Sequence, residues 1–184
     1  MENENTEGWA PKLSPKRSID YFRWRYGPHH PHHYESMVLL QDGKEMGQLV
    51  IHVEKIKDRE EIVLRVCEWI CPPEIDEEML KCLCHRAKVH HAIFSDFFTP
   101  NEDLIDRLSK IGFRFLKEIE ELKIPRLFQP LEMRERPSIN LGLYVKEELK
   151  EKNIADLAYW YLTKGDGNQD RPNDDGYRVS PDTA

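Results

Sequence analysis

The pair Asp42-Gly43 lies between two apolar runs, Met37-Val38-Leu39-Leu40 and Gly47-Gln48-Leu49-Val50-Ile51-His52-Val53. An Asp-Gly step flanked in this way is a strong short-range hairpin signal, because a two-residue hairpin turn needs positive φ at its centre. A third apolar run, Ile62-Val63-Leu64-Arg65-Val66-Cys67-Glu68-Trp69-Ile70, follows the charged turn Lys57-Asp58-Arg59-Glu60-Glu61. Three consecutive antiparallel strands is the simple reading.

Cys71-Pro72-Pro73 ends the third strand. Ile75, Met79, Leu83 and Ala87 then recur at four-residue steps behind a cluster of acids, which predicts a helix with its acids at the favourable end of the dipole. Ala92-Ile93-Phe94-Ser95-Asp96-Phe97-Phe98 has the character of a short buried strand. Thr99-Pro100-Asn101-Glu102 opens a second helix, with Leu104, Ile105, Leu108 and Ile111 on one side. Gly112 is its expected C-cap, and Phe113-Arg114-Phe115-Leu116 is expected to resume as strand. A further strand falls around Ile124 to Phe128, at an edge because of Pro125. Leu149, Ile154, Leu157 and Ala158 suit a helix over 146–158, and Trp160-Tyr161-Leu162 a last short strand.

A helix joining two sequential strands normally makes them parallel. The fold class is therefore α+β, a mixed sheet in which an antiparallel meander is followed by a βαβ unit and a terminal strand pair. Residues 1–18, with Pro11 and Pro15, read as an extended lead-in. Residues 19–163 form one domain, and 164–184, rich in glycine, proline and aspartate, a flexible tail.

The 184 residues carry a formal charge of -7, which argues against broad nucleic-acid binding, since phosphate neutralisation needs a basic surface. No apolar run is long enough to span a membrane. The start, Met1-Glu2-Asn3-Glu4-Asn5, is unlike a secretory signal, so a cytoplasmic location with reduced thiols at Cys67, Cys71, Cys82 and Cys84 is expected.

Two stretches carry a resemblance. Phe97-Phe98-Thr99-Pro100-Asn101-Glu102, leading to Leu108-Ser109-Lys110-Ile111-Gly112-Phe113, resembles the asparagine-then-helix-then-Gly-Phe passage of the GNAT superfamily of acyl-CoA N-acyltransferases. Phe22-Arg23-Trp24-Arg25-Tyr26 with His30-Pro31, and Trp160-Tyr161-Leu162-Thr163 with Gly165-Asp166 and Asp170, resemble the start and end of the second half of bacterial two-module GNAT-like proteins. Some of those are encoded with cell-surface polysaccharide genes. The resemblance implies a GNAT-like sheet, acyl-CoA as cosubstrate, an amine or amino-sugar acceptor, and Glu68 as the general base. Backbone between the third and fourth strands would hold the acyl carbonyl.

One departure stands out. The glycine-rich turn that binds the CoA pyrophosphate in the family is absent, and Cys71-Pro72-Pro73-Glu74-Ile75-Asp76-Glu77-Glu78 occupies its place. Prolines remove donors and the acids repel phosphate. The alternative reading is therefore a non-catalytic GNAT-like module that binds a partner, either a companion GNAT-like half or a second copy.

Other clusters have plainer accounts. Arg23, Trp24, Arg25 and Tyr26 suit an anionic sugar or phosphate by cation–π contact, or else an aromatic clamp over the sheet. Glu68 has its own plain reading, as a carboxylate on a strand's exposed face or one paired with an arginine. His29, His30, His32 and His33 are interrupted by Pro31, and Cys82-Leu83-Cys84-His85 lacks zinc-site spacing, so no metal is assigned; a Cys/His metal protein is the lowest alternative. Asp166-x-Asn168-x-Asp170 opens like a calcium loop, but Arg171 stands where glycine is required. A polar turn is the better account.

Overall fold

The computed structural model describes residues 13–28, 32, 34–56, 59–115 and 156–167. The elements are α1 (Ile19–Tyr26), β1 (Tyr34–Gln41), β2 (Lys44–Lys55), β3 (Ile62–Ile70), α2 (Asp76–Val89), β4 (Ala92–Phe97) and α3 (Glu102–Lys110), with a 3-10 turn, Pro73–Ile75, leading into α2. The strands form one mixed sheet in the order β1-β2-β3-β4. β1, β2 and β3 are antiparallel neighbours, and β3 and β4 run parallel, connected through α2.

The hairpin turns as its sequence requires. Asp42 and Gly43 both take positive φ, 52° and 76°, the left-handed pair that matches the twist of β1 and β2. The helices fill the other side of the meander. Met79 and Leu83 of α2 and Leu104 and Leu108 of α3 pack with Leu49, Ile51, Leu64, Val66 and Trp69. Burying a side chain of this size stabilises by about 1.5–3 kcal/mol, so the contact of the helices with one sheet face dominates the stability of the fold. Ile75 and Ala87, expected on the same stripe, sit at its partly buried margin.

Asn101 caps α3, its side-chain oxygen accepting from the Leu104 N–H at 2.8 Å. At the other end Gly112 has φ of 104°. The Phe113 N–H donates to the Leu108 carbonyl at 3.0 Å and the Gly112 N–H to Ser109 at 3.2 Å, the paired bonds of a Schellman motif. Phe113 then meets Trp69 edge to face, with ring centroids 5.6 Å apart.

Several expectations need correction. Residues 113–115 follow the Gly112 turn without joining a strand; Phe113 turns in against Trp69. Leu116 and the strand expected over 124–128 lie outside the described residues, as does nearly all of the helix expected over 146–158. Leu157–Tyr159 is a 3-10 turn, and Trp160 makes a single parallel bridge to Leu13, so 160–162 is no strand. Tyr21 to Tyr26, read only as an aromatic and cationic cluster, lies within the helix α1, capped by the Ser18 hydroxyl.

Candidate functional site

The site grows from an irregularity in β3. Val50 of β2 pairs with Glu68, yet the next residue, Ile51, pairs with Val66, which makes Cys67 the extra residue of a β-bulge. A bulge shifts the in–out alternation by one. Before it, Leu64 and Val66 face the helices; beyond it, Trp69 does. Cys67 and Glu68 therefore both face α1, on the opposite side of the sheet, where Cys67 packs with Val50 and Tyr26.

That side is polar and buried. Glu68 is 0% exposed. Its Oε1 accepts from the Tyr26 hydroxyl at 2.8 Å and from Tyr21 at 3.4 Å, and its Oε2 from Tyr161 at 3.0 Å. The Arg17 Nε lies 3.0 Å from Oε1 as an ionic contact, its N–H not aimed for a hydrogen bond. The Arg17 terminal nitrogens instead grip both Asp166 carboxylate oxygens, at 2.7 and 3.0 Å. Its guanidinium also rests over the Tyr21 ring at 4.7 Å. Burial raises the Glu68 pKa above its ordinary value, and the Arg17 charge and the Tyr26 hydroxyl only partly oppose it. Burial, and next the Glu68 charge, push the phenols of Tyr21, Tyr26 and Tyr161 upward, so all three stay protonated and donate.

The second feature is a gap in the sheet. The β3–β4 pairing ends at Val66 and Phe97, while β3 runs on to Ile70. In that overhang the Trp69 backbone N–H donates to the Tyr161 hydroxyl at 2.9 Å, a side chain standing where a strand would be. Tyr161 thus bridges the Trp69 N–H and the Glu68 carboxylate. The segment carrying it, 156–167, is bound across this end of the sheet. Asn101 Nδ2 donates to the Ala158 carbonyl at 3.1 Å, Arg25 Nε to the Gly165 carbonyl at 2.8 Å, and Lys164 Nζ to Asp96. Asp96 also accepts from Arg65 at 2.9 Å. Burial of the ammonium, with Arg65 adding to it against the pull of Asp96, brings Lys164 down to about 8. Burial works to raise Asp96, but Lys164 and Arg65 together hold it below its usual value.

The third feature is the start of α2. Asp76, at its first position, is buried and accepts from Trp69 Nε1 at 3.0 Å and from two Arg107 nitrogens at 2.7 and 2.9 Å. Arg107 also donates to the Cys71 carbonyl at 2.9 Å. The helix N-terminus, a natural place for a phosphate, holds a carboxylate of its own.

The sequence-predicted residues divide. Glu68 and Tyr26 meet directly. Arg25 is buried nearby, bonded to Gly165 and to the Tyr34 hydroxyl at 2.8 Å. Arg23 and Trp24 point away, Trp24 being 65% exposed and Arg23 lying 3.8 Å from Asp20. Sequence reasoning missed Arg17, Tyr161 and Lys164, which fall in the stretches read as lead-in, short strand and tail. Among the described residues no group of three or more His, Cys, Asp or Glu could hold a metal, and no helix is long and apolar enough to cross a membrane.

No family model matches the chain, and no curated protein matches it. Among solved structures, three acetyltransferases are similar. A probable acetyltransferase is 16% identical over 50% of this chain and 68% of its own, with a TM-score of 0.40. An aminoglycoside acetyltransferase from an uncultured soil metagenomic sample, solved with sisomicin, is 8% identical over 64% and 69%, with a TM-score of 0.40. An acetyltransferase of Trypanosoma brucei is 15% identical over 70% and 82%, with a TM-score of 0.41.

Proposed function

We propose that the chain is a GNAT-like acyltransferase domain whose reacting centre is the pair Glu68 and the Trp69 backbone N–H. The observation that carries this reading is the β3 overhang, where a main-chain donor sits beside a buried carboxylate beyond the end of β4. The Trp69 N–H would hold the carbonyl oxygen of a thioester and stabilise the charge that builds on it. The acceptor amine would then bond to the carbonyl carbon, the C–S bond would break, and the proton lost by nitrogen would pass to Glu68. A carboxylate whose pKa is raised by burial is a better base near neutral pH than an ordinary one. The donor is an acyl-CoA and the acceptor an amine, with an amino-sugar of surface polysaccharide metabolism suggested by resemblance alone.

Isothermal titration with acetyl-CoA and longer acyl-CoAs tests this. Saturable binding is expected, and no heat at millimolar ligand would end the reading. A second reading, a module that binds a partner protein without catalysis, is favoured by one observation: Asp76 and Arg107 fill the α2 N-terminus that a pyrophosphate would use. Light scattering of the protein alone and with the product of a neighbouring gene separates the two, since this second reading requires a complex.

A further inference from the structure

The geometry points to a lid. Resting on the reading of the β3 overhang as an acyl site, segment 156–167 is the element that closes it, with the Tyr161 hydroxyl standing where the acyl oxygen would accept from Trp69. In this state Glu68 is wholly buried and no acceptor amine reaches it. The site works only if 156–167 lifts.

The attachments of the segment suit a reversible closure. Among the described residues, polar contacts to the segment are Lys164 to Asp96, Asp166 to Arg17, Gly165 to Arg25, Ala158 to Asn101 and the Tyr161 N–H to the Leu13 carbonyl, while the Tyr161 ring joins the apolar core. Such bonds exchange for water at small net cost, whereas the apolar contacts between α2, α3 and the sheet do not. Elements that open locally are drawn from the part of a fold with few buried apolar contacts. Leu157, at the start of the segment, is exposed. The contacts also converge, since Asn101 ties the lid to the cap of α3 and Asp96 ties it to β4, the two elements that border the gap.

Gly165 provides the means of testing it. A side chain there would collide with the Tyr26 hydroxyl, which is itself fixed on Glu68. Gly165→Ala should therefore crowd the closed lid against Tyr26 while Glu68, Trp69 and Tyr161 themselves stay unsubstituted.

Hydrogen exchange followed by mass spectrometry on the full chain reads the opening. In the unsubstituted protein, peptides within 156–167 should exchange at least tenfold faster than those of β3, in a separate phase. Gly165→Ala should raise exchange in 156–167 a further tenfold and leave β2 and β3 unchanged. Lys164→Gln, which breaks the link to Asp96, should act in the same direction and serves if the alanine variant does not fold. Exchange of 156–167 in step with β3, in the unsubstituted protein and in both variants, would overturn the lid. With acetyl-CoA as probe, Gly165→Ala should bind about tenfold more tightly. A lid that opens on its own while acetyl-CoA binds neither form leaves the lid standing and removes the acyl reading.

Discussion

Asp76→Ala is the perturbation whose cost the structure specifies most fully. The carboxylate accepts from the Trp69 indole and from two nitrogens of Arg107, and the Cys71 sulfur lies 3.2 Å from Oδ1. Removing it strands the guanidinium and the indole N–H together. Breaking a buried ion pair by deleting one partner costs about 3–5 kcal/mol. A buried donor left without an acceptor accounts for about 1–3 kcal/mol of that. The Arg107 side chain is 19% exposed, so water recovers part of its solvation and the loss should fall in the lower half of the range. Urea unfolding at pH 7, followed by circular dichroism, measures it, with an unchanged slope confirming that the folded state is still compact. Asp76→Ala combined with Arg107→Met should be less damaging than the sum of the single changes, because no charge is then stranded. A single-variant loss below about 1 kcal/mol, as at exposed pairs, or strict additivity in the double variant, would refute the argument.

Other outcomes follow from the same contacts. Gly112→Ala forces a side chain to φ of 104° with nothing nearby to clash, so the loss is conformational, about 1–2 kcal/mol, and should appear as a lower thermal midpoint. Asn101→Ala removes the cap of α3 at a cost of about 1 kcal/mol. It should also quicken exchange in 156–167 by freeing the Ala158 carbonyl, whereas a cap-only effect would leave that segment alone. Lys164 sits at about 8 in the folded protein against 10.5 unfolded, so the unfolded chain holds the extra proton between those values. Its contribution therefore makes stability rise with pH from about 8 to 10.5, and Lys164→Met should flatten that part of the urea-midpoint profile.

The parts of this fold that were legible in the sequence are those set by neighbours along the chain. Asp42-Gly43 declares its hairpin because both residues must take positive φ, and Asn101 and Gly112 bracket α3 through bonds spanning three to five residues. The missed parts depend on distant partners. α1 is eight residues long, and its two buried side chains, Arg25 and Tyr26, are adjacent rather than on a helical stripe. What buries them is Gly165, Tyr34 and Glu68. Tyr161 meets Glu68 across 93 residues, and Arg17 meets Asp166 across 149, separations at which no local pattern survives. The bulge at Cys67 is equally silent in sequence, since β3 is buried on both faces and shows no in–out alternation for a bulge to interrupt. Glu68 was singled out by position, and the bulge is the reason it faces Tyr161 rather than the helices.

The Trp69 amide offers the most direct test of the acyl site. The chain has four tryptophans, so nitrogen-15 labelling of tryptophan alone gives a sparse spectrum. Titrated with acetyl-CoA, the Trp69 backbone resonance should move and saturate as its bond to Tyr161 is replaced, and Trp160, beside Tyr161, should move with it. Trp24, exposed on α1, should stay in place. A Trp69 amide that remains fixed at millimolar acetyl-CoA, in a protein whose spectrum is otherwise folded, would contradict the account.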